Sequence, residues 1–155
     1  QTAAMARYCG KLANLIPNNE IDVLLVDQIL DVANDITYII GPSIREKNLD
    51  KKKKMRLELN KKTIPIWLSH LENFLIDNKK SDFFISNKLT IADIVMWRIL
   101  LWLSCGLLEN ISKDIVKEFK LLNEYFSFIS SYETIRKTNE YKEILKEISK
   151  RTMIM

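Results

Sequence analysis

Glycine and proline are scarce, with three of each in 155 residues. An all-β fold of this length needs many turns, and these two residues supply most of them. Their scarcity therefore predicts an all-α chain of long helices. Cysteine is scarcer still. Cys9 and Cys105 stand far apart without a CxxC, so neither a disulfide framework nor a zinc site is expected, and a reducing cytoplasm is the default location. One histidine, His70, cannot supply a Ser-His-Asp or Cys-His set. It lies beside Glu72 on a polar helix face and reads as a surface residue. No glycine-rich phosphate loop is present. The most apolar stretch, residues 94–108, is shorter than the ~20 residues of a membrane span. It also carries Arg98, so it reads as a core helix and no membrane partner is expected.

What is present fits a soluble globular domain. Apolar residues make up 47% and charged residues 28%, and the length allows one real core. The formal charge is +4, with clusters at Lys51 to Lys54 and at Lys61-Lys62. Four adjacent lysines point in different directions around a helix and make no single stripe, so a nucleic-acid partner is not expected. The chain starts at Gln1 with no charged n-region, apolar h-region or cleavage site, so no targeting segment is read and the expectation is that it begins inside a longer protein.

Periodicity places the helices. Met5, Tyr8, Cys9 and Leu12 fall on one helical face, which ends at the turn signal Ile16-Pro17-Asn18-Asn19. A long helix is expected from about residue 20 to about residue 40, with Leu25, Ile29, Val32, Ile36 and Ile39 inward, stopped or kinked by Gly41-Pro42. Asn48 can cap a third helix that runs to about residue 76 and bends at Pro65. Its inward residues are Ile64, Trp67, Leu68, Leu71 and Leu75. Residues 78–87 form a loop pinned by Phe83, Phe84 and Ile85. Thr90 and Asp93 have the spacing of a capping box, with Leu89 and Ile94 as a hydrophobic staple. The helix that follows is apolar nearly all round and must be central; Arg98 should pair with a carboxylate or reach the surface. Ser112 can cap a short helix. Phe119, Leu122, Phe126 and Ile129 mark another, and Ile135, Tyr141, Ile144, Leu145 and Ile148 a last one.

Few residues point to chemistry. Cys9 and Cys105 sit among apolar residues and read as core, and Trp97 with Trp102 as packing. Asp27, Asp31 and Asp35 are spaced four apart in a row along the long helix. Like charges so placed cost about 0.2–0.5 kcal/mol per pair. The row is a solvated face, a cation site, or a set of carboxylates awaiting an ammonium or guanidinium partner. Thr2 can cap the first helix, whose free amides suit a ligand carboxylate.

These residues in this order resemble the cytosolic glutathione transferases. Gln1-Thr2-Ala3-Ala4-Met5-Ala6-Arg7-Tyr8 is similar to the segment opening the last helix of that family's thioredoxin-like domain. Val26-Asp27 with Asp35 resembles the first long helix of its C-terminal domain, and residues 59–74, with Ile64-Pro65-Ile66-Trp67, the second. Asn87-Lys88-Leu89-Thr90-Ile91-Ala92-Asp93 resembles the capping segment before its central buried helix, and residues 119–135 the helix after it. Met5 to Tyr8 and the acidic row most resemble the sigma class. Ser86, Lys120 and Glu133 depart from the family pattern, at positions that affect helix entry rather than a ligand site.

The resemblance implies an all-α bundle of the family's C-terminal type around a central helix starting near Thr90. Residues 1–16 would be the last helix of an otherwise missing thioredoxin-like domain, and residues 17–155 the C-terminal helical domain. It implies that Gln1 and Thr2 hold the γ-glutamyl end of glutathione, and that Asp35 reaches the γ-glutamyl amine across a homodimer interface. It also implies a possible cation row of Asp31 and Asp35, as in some sigma-class members. Tyr38 and Arg45 are candidate walls of a pocket for a small hydrophobic electrophile. Glutathione is then a cosubstrate, with no cofactor. The catalytic Tyr or Ser belongs to the missing domain, so no catalytic residue is assigned here and the fragment alone is expected to be inactive. The alternative is a non-catalytic glutathione-transferase-like interaction module of a translation factor or tRNA-synthetase assembly.

Overall fold

A computed structural model describes residues 1–78, 81–138, 142, 143 and 146. The described residues contain helices and turns and no strand, as the sparse glycine and proline predict. The order is α1 (Thr2–Leu12), α2 (Glu20–Arg45), α3 (Leu49–Glu58), a π-helical turn (Leu59–Thr63), α4 (Ile64–Asp77), α5 (Ile91–Ser104), α6 (Lys120–Ser131) and α7 (Glu133–Arg136). Helix α5 is the centre, and α2, α6 and α1 pack on it. Met96, Leu100 and Leu103 have almost no exposure. Each such side chain contributes about 1.5–3 kcal/mol by leaving water.

Asn19 starts α2: its Oδ1 accepts from the Ile21 amide at 2.9 Å, and Glu20 and Asp22 lie in the first turn, where the helix dipole favours acids. The buried stripe of α2 is Val26, Ile29, Leu30, Ala33, Ile36 and Ile40. The expected stripe shares Ile29 and Ile36 with it, while Leu25, Val32 and Ile39 flank it half-buried. The face is rotated because the contact with α5, not α2's own periodicity, sets the arc. Gly41-Pro42 does not stop α2, which runs on to Arg45. Pro42 lies in the last turn, and its carbonyl accepts from the Glu46 amide at 3.1 Å.

Asn48 caps α3, with its Oδ1 accepting from the Lys51 amide at 2.9 Å. The single helix expected through Pro65 is instead α3 and α4 joined by the π turn. Pro65 has no N–H, and its ring crowds the carbonyl four residues back. The wide turn relieves this directly upstream, where the Ile64 amide bonds to the Leu59 carbonyl. Ile64, Leu68 and Leu71 are buried as expected, and Trp67 and Leu75 half-buried. In the following loop Phe83, Phe84 and Ile85 are buried. Asn78 Nδ2 donates to the carbonyls of Phe83 and Phe84 at 3.0 and 2.9 Å, which fixes the loop on the core.

Two further expectations are corrected. The apolar face of α1 points outward: Met5, Tyr8 and Leu12 are exposed, and so is Cys9, which is not a core residue. The inward face is Ala3, Ala6 and Gly10. A Cβ on Gly10 would lie 2.9 Å from Ile91 Cβ, so glycine here permits α1 to cross the start of α5. The Ile91 amide also donates to the Leu15 carbonyl at 3.0 Å. The second correction is Ser112, which opens turns at residues 113–118 rather than a helix. Their amides bond three residues back, as Ile115 to Ser112 and Lys117 to Asp114, and no four-residue ladder forms. Of the residues expected to mark a last helix, Ile135 is buried in α7. Tyr141, Ile144, Leu145 and Ile148 lie outside the described residues.

Candidate functional site

Gln1 occupies the N-cap position of α1 and makes no side-chain cap. Thr2 is the first helical residue rather than the cap. Its hydroxyl instead crosses to α2 and donates to Asn34 Oδ1 at 2.8 Å. The first amides of α1 therefore have no intrahelical partner, with the positive end of the helix dipole behind them. This is an arrangement suited to a carboxylate.

The acidic row on α2 is split by its surroundings. Asp27 takes Arg7 of α1, whose Nε and Nη2 lie 2.7 and 2.6 Å from Asp27 Oδ1. One of the three carboxylates thus has its guanidinium. Asp31 and Asp35 are exposed. Among the described residues no group of three or more His, Cys, Asp or Glu is placed to hold a metal ion. The Asp31 and Asp35 pair remains two carboxylates one turn apart, with Asp35 directly after the Asn34 that binds Thr2.

Beside Thr2 opens a cavity of about 500 Å³. Thr2, Asn34 and Thr37 give it a polar rim, and Val95, Arg98, Ile99 and Trp102 of α5 form much of its wall. The structure thus brings Thr2 to a cavity, with Asp35 nearby in sequence. Tyr38 and Arg45 do not line it. Tyr38 is 74% exposed. The Arg45 guanidinium folds back toward Gly41, within 3.3 Å of where a Cβ would stand. The α5 wall is not singled out by the sequence, where the helix reads as apolar all round. The available signal is Arg98. Ile94, Val95, Arg98 and Trp102 are the half-buried positions of α5 near it, and they share one helical face. His70 is exposed, as expected, and Cys105 is buried. Trp97 is buried and donates from Nε1 to Ser130 Oγ at 2.9 Å, which makes it a packing residue at the α5–α6 contact.

Thr90 and Asp93 form the expected capping box. Asp93 does more than cap. Its Oδ2 accepts from the Thr90 amide and hydroxyl, both at 2.8 Å, and its Oδ1 from the Phe84 amide at 3.0 Å. Tyr125 of α6, which the sequence reading passes over, donates its hydroxyl to Oδ1 at 3.1 Å. Burial, with the Asp93 charge and hydrogen bond adding to it, raises the Tyr125 phenol well above its ordinary pKa. Asp93 is fully buried and Tyr125 nearly so, and the cluster is structural.

The model of the family described as "Glutathione S-transferase, C-terminal domain" matches residues 34–143, more than half of the chain. A glutathione S-transferase of Plasmodium yoelii yoelii is 26% identical over 136 residues, which are 88% of this chain and 59% of that protein. One of Anopheles gambiae is 29% identical over 114 residues, which are 71% of this chain and 55% of that protein. The chain therefore spans little more than half the length of these relatives. Among solved structures, that of prostaglandin synthase D of Nilaparvata lugens superposes with a TM-score of 0.76 at 26% identity, over 88% of this chain and 65% of that one. The glutathione S-transferase Blo t 8 superposes with a TM-score of 0.69 at 16% identity, over 88% of this chain and 61% of that one, a likeness of fold alone. The order of helices around α5, the capping box at its start and the family match together place the chain: it belongs to the glutathione S-transferase family, as a C-terminal helical domain of that kind.

Proposed function

We propose that this chain is the C-terminal part of a cytoplasmic glutathione transferase that joins the glutathione thiolate to small hydrophobic electrophiles. The observation that carries the reading is the Thr2–Asn34 hydrogen bond, because it holds the start of α1 against α2 beside an open cavity of about 500 Å³. In this reading the γ-glutamyl carboxylate meets the free amides of α1 with Gln1, and Thr2 holds that helix start in place through its bond to Asn34. Asp35 takes the γ-glutamyl ammonium of a glutathione bound by the second subunit of a homodimer. The electrophile lies against Val95, Ile99 and Trp102, with Tyr38 and Arg45 as outer contacts brought in by the rest of the protein. The thiolate then attacks the electrophilic carbon, a carbon–sulfur bond forms and the leaving group departs with the displaced electron pair. The group that stabilises the thiolate is assigned to a thioredoxin-like domain of which residues 1–16 are the last helix. The outward Met5, Tyr8 and Leu12 support this, since a helix exposing such a face suits a neighbouring domain.

The rival reading, an interaction module, draws on the lysine cluster. Its support is weaker: Lys51 is held by Glu46 at 2.7 Å and Lys52 lines a cavity. The test uses the intact protein. Retention on immobilised glutathione and conjugation of a generic aryl halide are expected, and failure of both overturns the proposal.

A further inference from the structure

A cavity of about 490 Å³ opens between the end of α4, the loop that follows it and α6. The spacing along α6 explains one wall. Leu121, Glu124, Tyr125 and Phe128 stand 3, 1 and 3 residues apart, so they share a helical face, and all four line the cavity. Leu75 and Ile76 close it from the last turn of α4. Ser81 and Asp82 close it from the loop. That loop is fixed on both sides of Asp82. Asn78 Nδ2 donates to the carbonyls of Phe83 and Phe84, the Phe83 amide donates to Ser81 Oγ at 3.0 Å, and Phe83 is buried. Asp82 itself is exposed between these anchored neighbours.

The chemistry of the walls is one-sided. Leu75, Ile76 and Leu121 are aliphatic, and Ile76 and Leu121 are each 37% exposed. Tyr125 and Phe128 add aromatic rings, whose faces attract cations. Both charged residues of the lining are acids, Asp82 and Glu124, in a chain whose formal charge is +4. Among the described residues Asp82 has no ion pair. Glu124 meets Lys120 one turn back at 4.0 Å, and that lysine side chain is 86% exposed. A pair so long and so open to water neutralises little. Apolar walls, aromatic rings and two acids thus surround a volume that suits a small molecule.

We propose that this cavity binds a small amphiphilic amine, its ammonium paired with Asp82 and Glu124 and its apolar body against Leu75, Ile76, Leu121 and Phe128. An ammonium has three donors and no acceptor, so two carboxylates match it with charge-assisted hydrogen bonds. The same two acids repel an anion of equal shape. A neutral analogue gains the apolar contact alone. Gln1, Thr2, Asp35 and the residues of α5 do not line this cavity, so the inference does not rest on the glutathione reading.

The test is titration of the intact protein, followed by methyl NMR, with phenethylamine, phenethyl alcohol and hydrocinnamate. These probes keep one aryl body and change the charge of its head. Phenethylamine should bind, with the largest shifts at the methyl groups of Leu75, Ile76 and Leu121. The alcohol should bind about tenfold more weakly and the acid more weakly still, since hydrogen bonds to a charged group carry that much discrimination. Asp82→Asn and Glu124→Gln should each weaken the amine by about tenfold and leave the alcohol unchanged. Both residues are exposed, so both variants should melt with the wild type. No binding of the amine, equal binding of amine and alcohol, or shifts centred on other methyl groups overturns the proposal. Unchanged amine affinity in either variant overturns it as well, because that acid would then take no part in recognition.

Discussion

The Tyr125 hydroxyl reaches Asp93 Oδ1 at 3.1 Å from a position 32 residues further along the chain, and so ties α6 to the first turn of α5. Tyr125→Phe removes that donor while the ring keeps its edge contact with Phe84, centroids 4.5 Å apart. We expect a loss of about 1–3 kcal/mol in urea unfolding, because the buried carboxylate loses one of its hydrogen bonds. Asp93→Ala should cost more, since it strands the Thr90 and Phe84 amides along with the phenol. A Tyr125→Phe protein as stable as the wild type would show that the bond contributes nothing.

The same pair gives a pH dependence. The folded phenol titrates above its ordinary pKa, so the fold favours the protonated form. The stability linked to it is present below the unfolded phenol pKa of about 10 and is lost as the pH rises from there toward the folded value. Unfolding measured across the alkaline range should therefore fall more steeply for the wild type than for Tyr125→Phe. Parallel curves would contradict this.

Gly10→Ala sets two effects against each other. Alanine improves the intrinsic helix propensity of α1 by about 1 kcal/mol. Its Cβ would stand 2.9 Å from Ile91 Cβ, at the crossing of α1 and α5. Overpacking at such a contact costs about 1–3 kcal/mol, so the substitution should destabilise on balance. Thermal melting checks the sign, and a raised melting temperature would mean that the two helices part freely.

How much of this is legible in the sequence depends on the range of each interaction. The capping box is legible because Thr90 and Asp93 are three residues apart and their chemistry is local. Tyr125 is not, because only the fold brings it to Asp93. The apolar face of α1 is visible as periodicity, but periodicity does not say what covers it. Met5 and Tyr8 face out while the small residues Ala6 and Gly10 face in. The π turn before Pro65 likewise hides behind a correct expectation of a bend, since sequence locates the missing N–H and not the form of its relief. At the candidate site, Thr2 is visible as a helix start, but its bond to Asn34 depends on how α1 crosses α2. The cavity face of α5 is masked by a helix apolar on every side, with Arg98 as its one mark.

Glutathione binding is tested most directly on the intact protein carrying Thr2→Ala or Asp35→Asn, titrated by calorimetry. Both positions are exposed, so stability should stay within about 1 kcal/mol of the wild type, even with the Thr2–Asn34 bond lost in Thr2→Ala. Glutathione affinity should be about tenfold weaker in each, because Thr2→Ala frees the α1 amides from the place Asn34 holds them in and Asp35→Asn removes the charge facing the ammonium. Unchanged affinity in both proteins would contradict it.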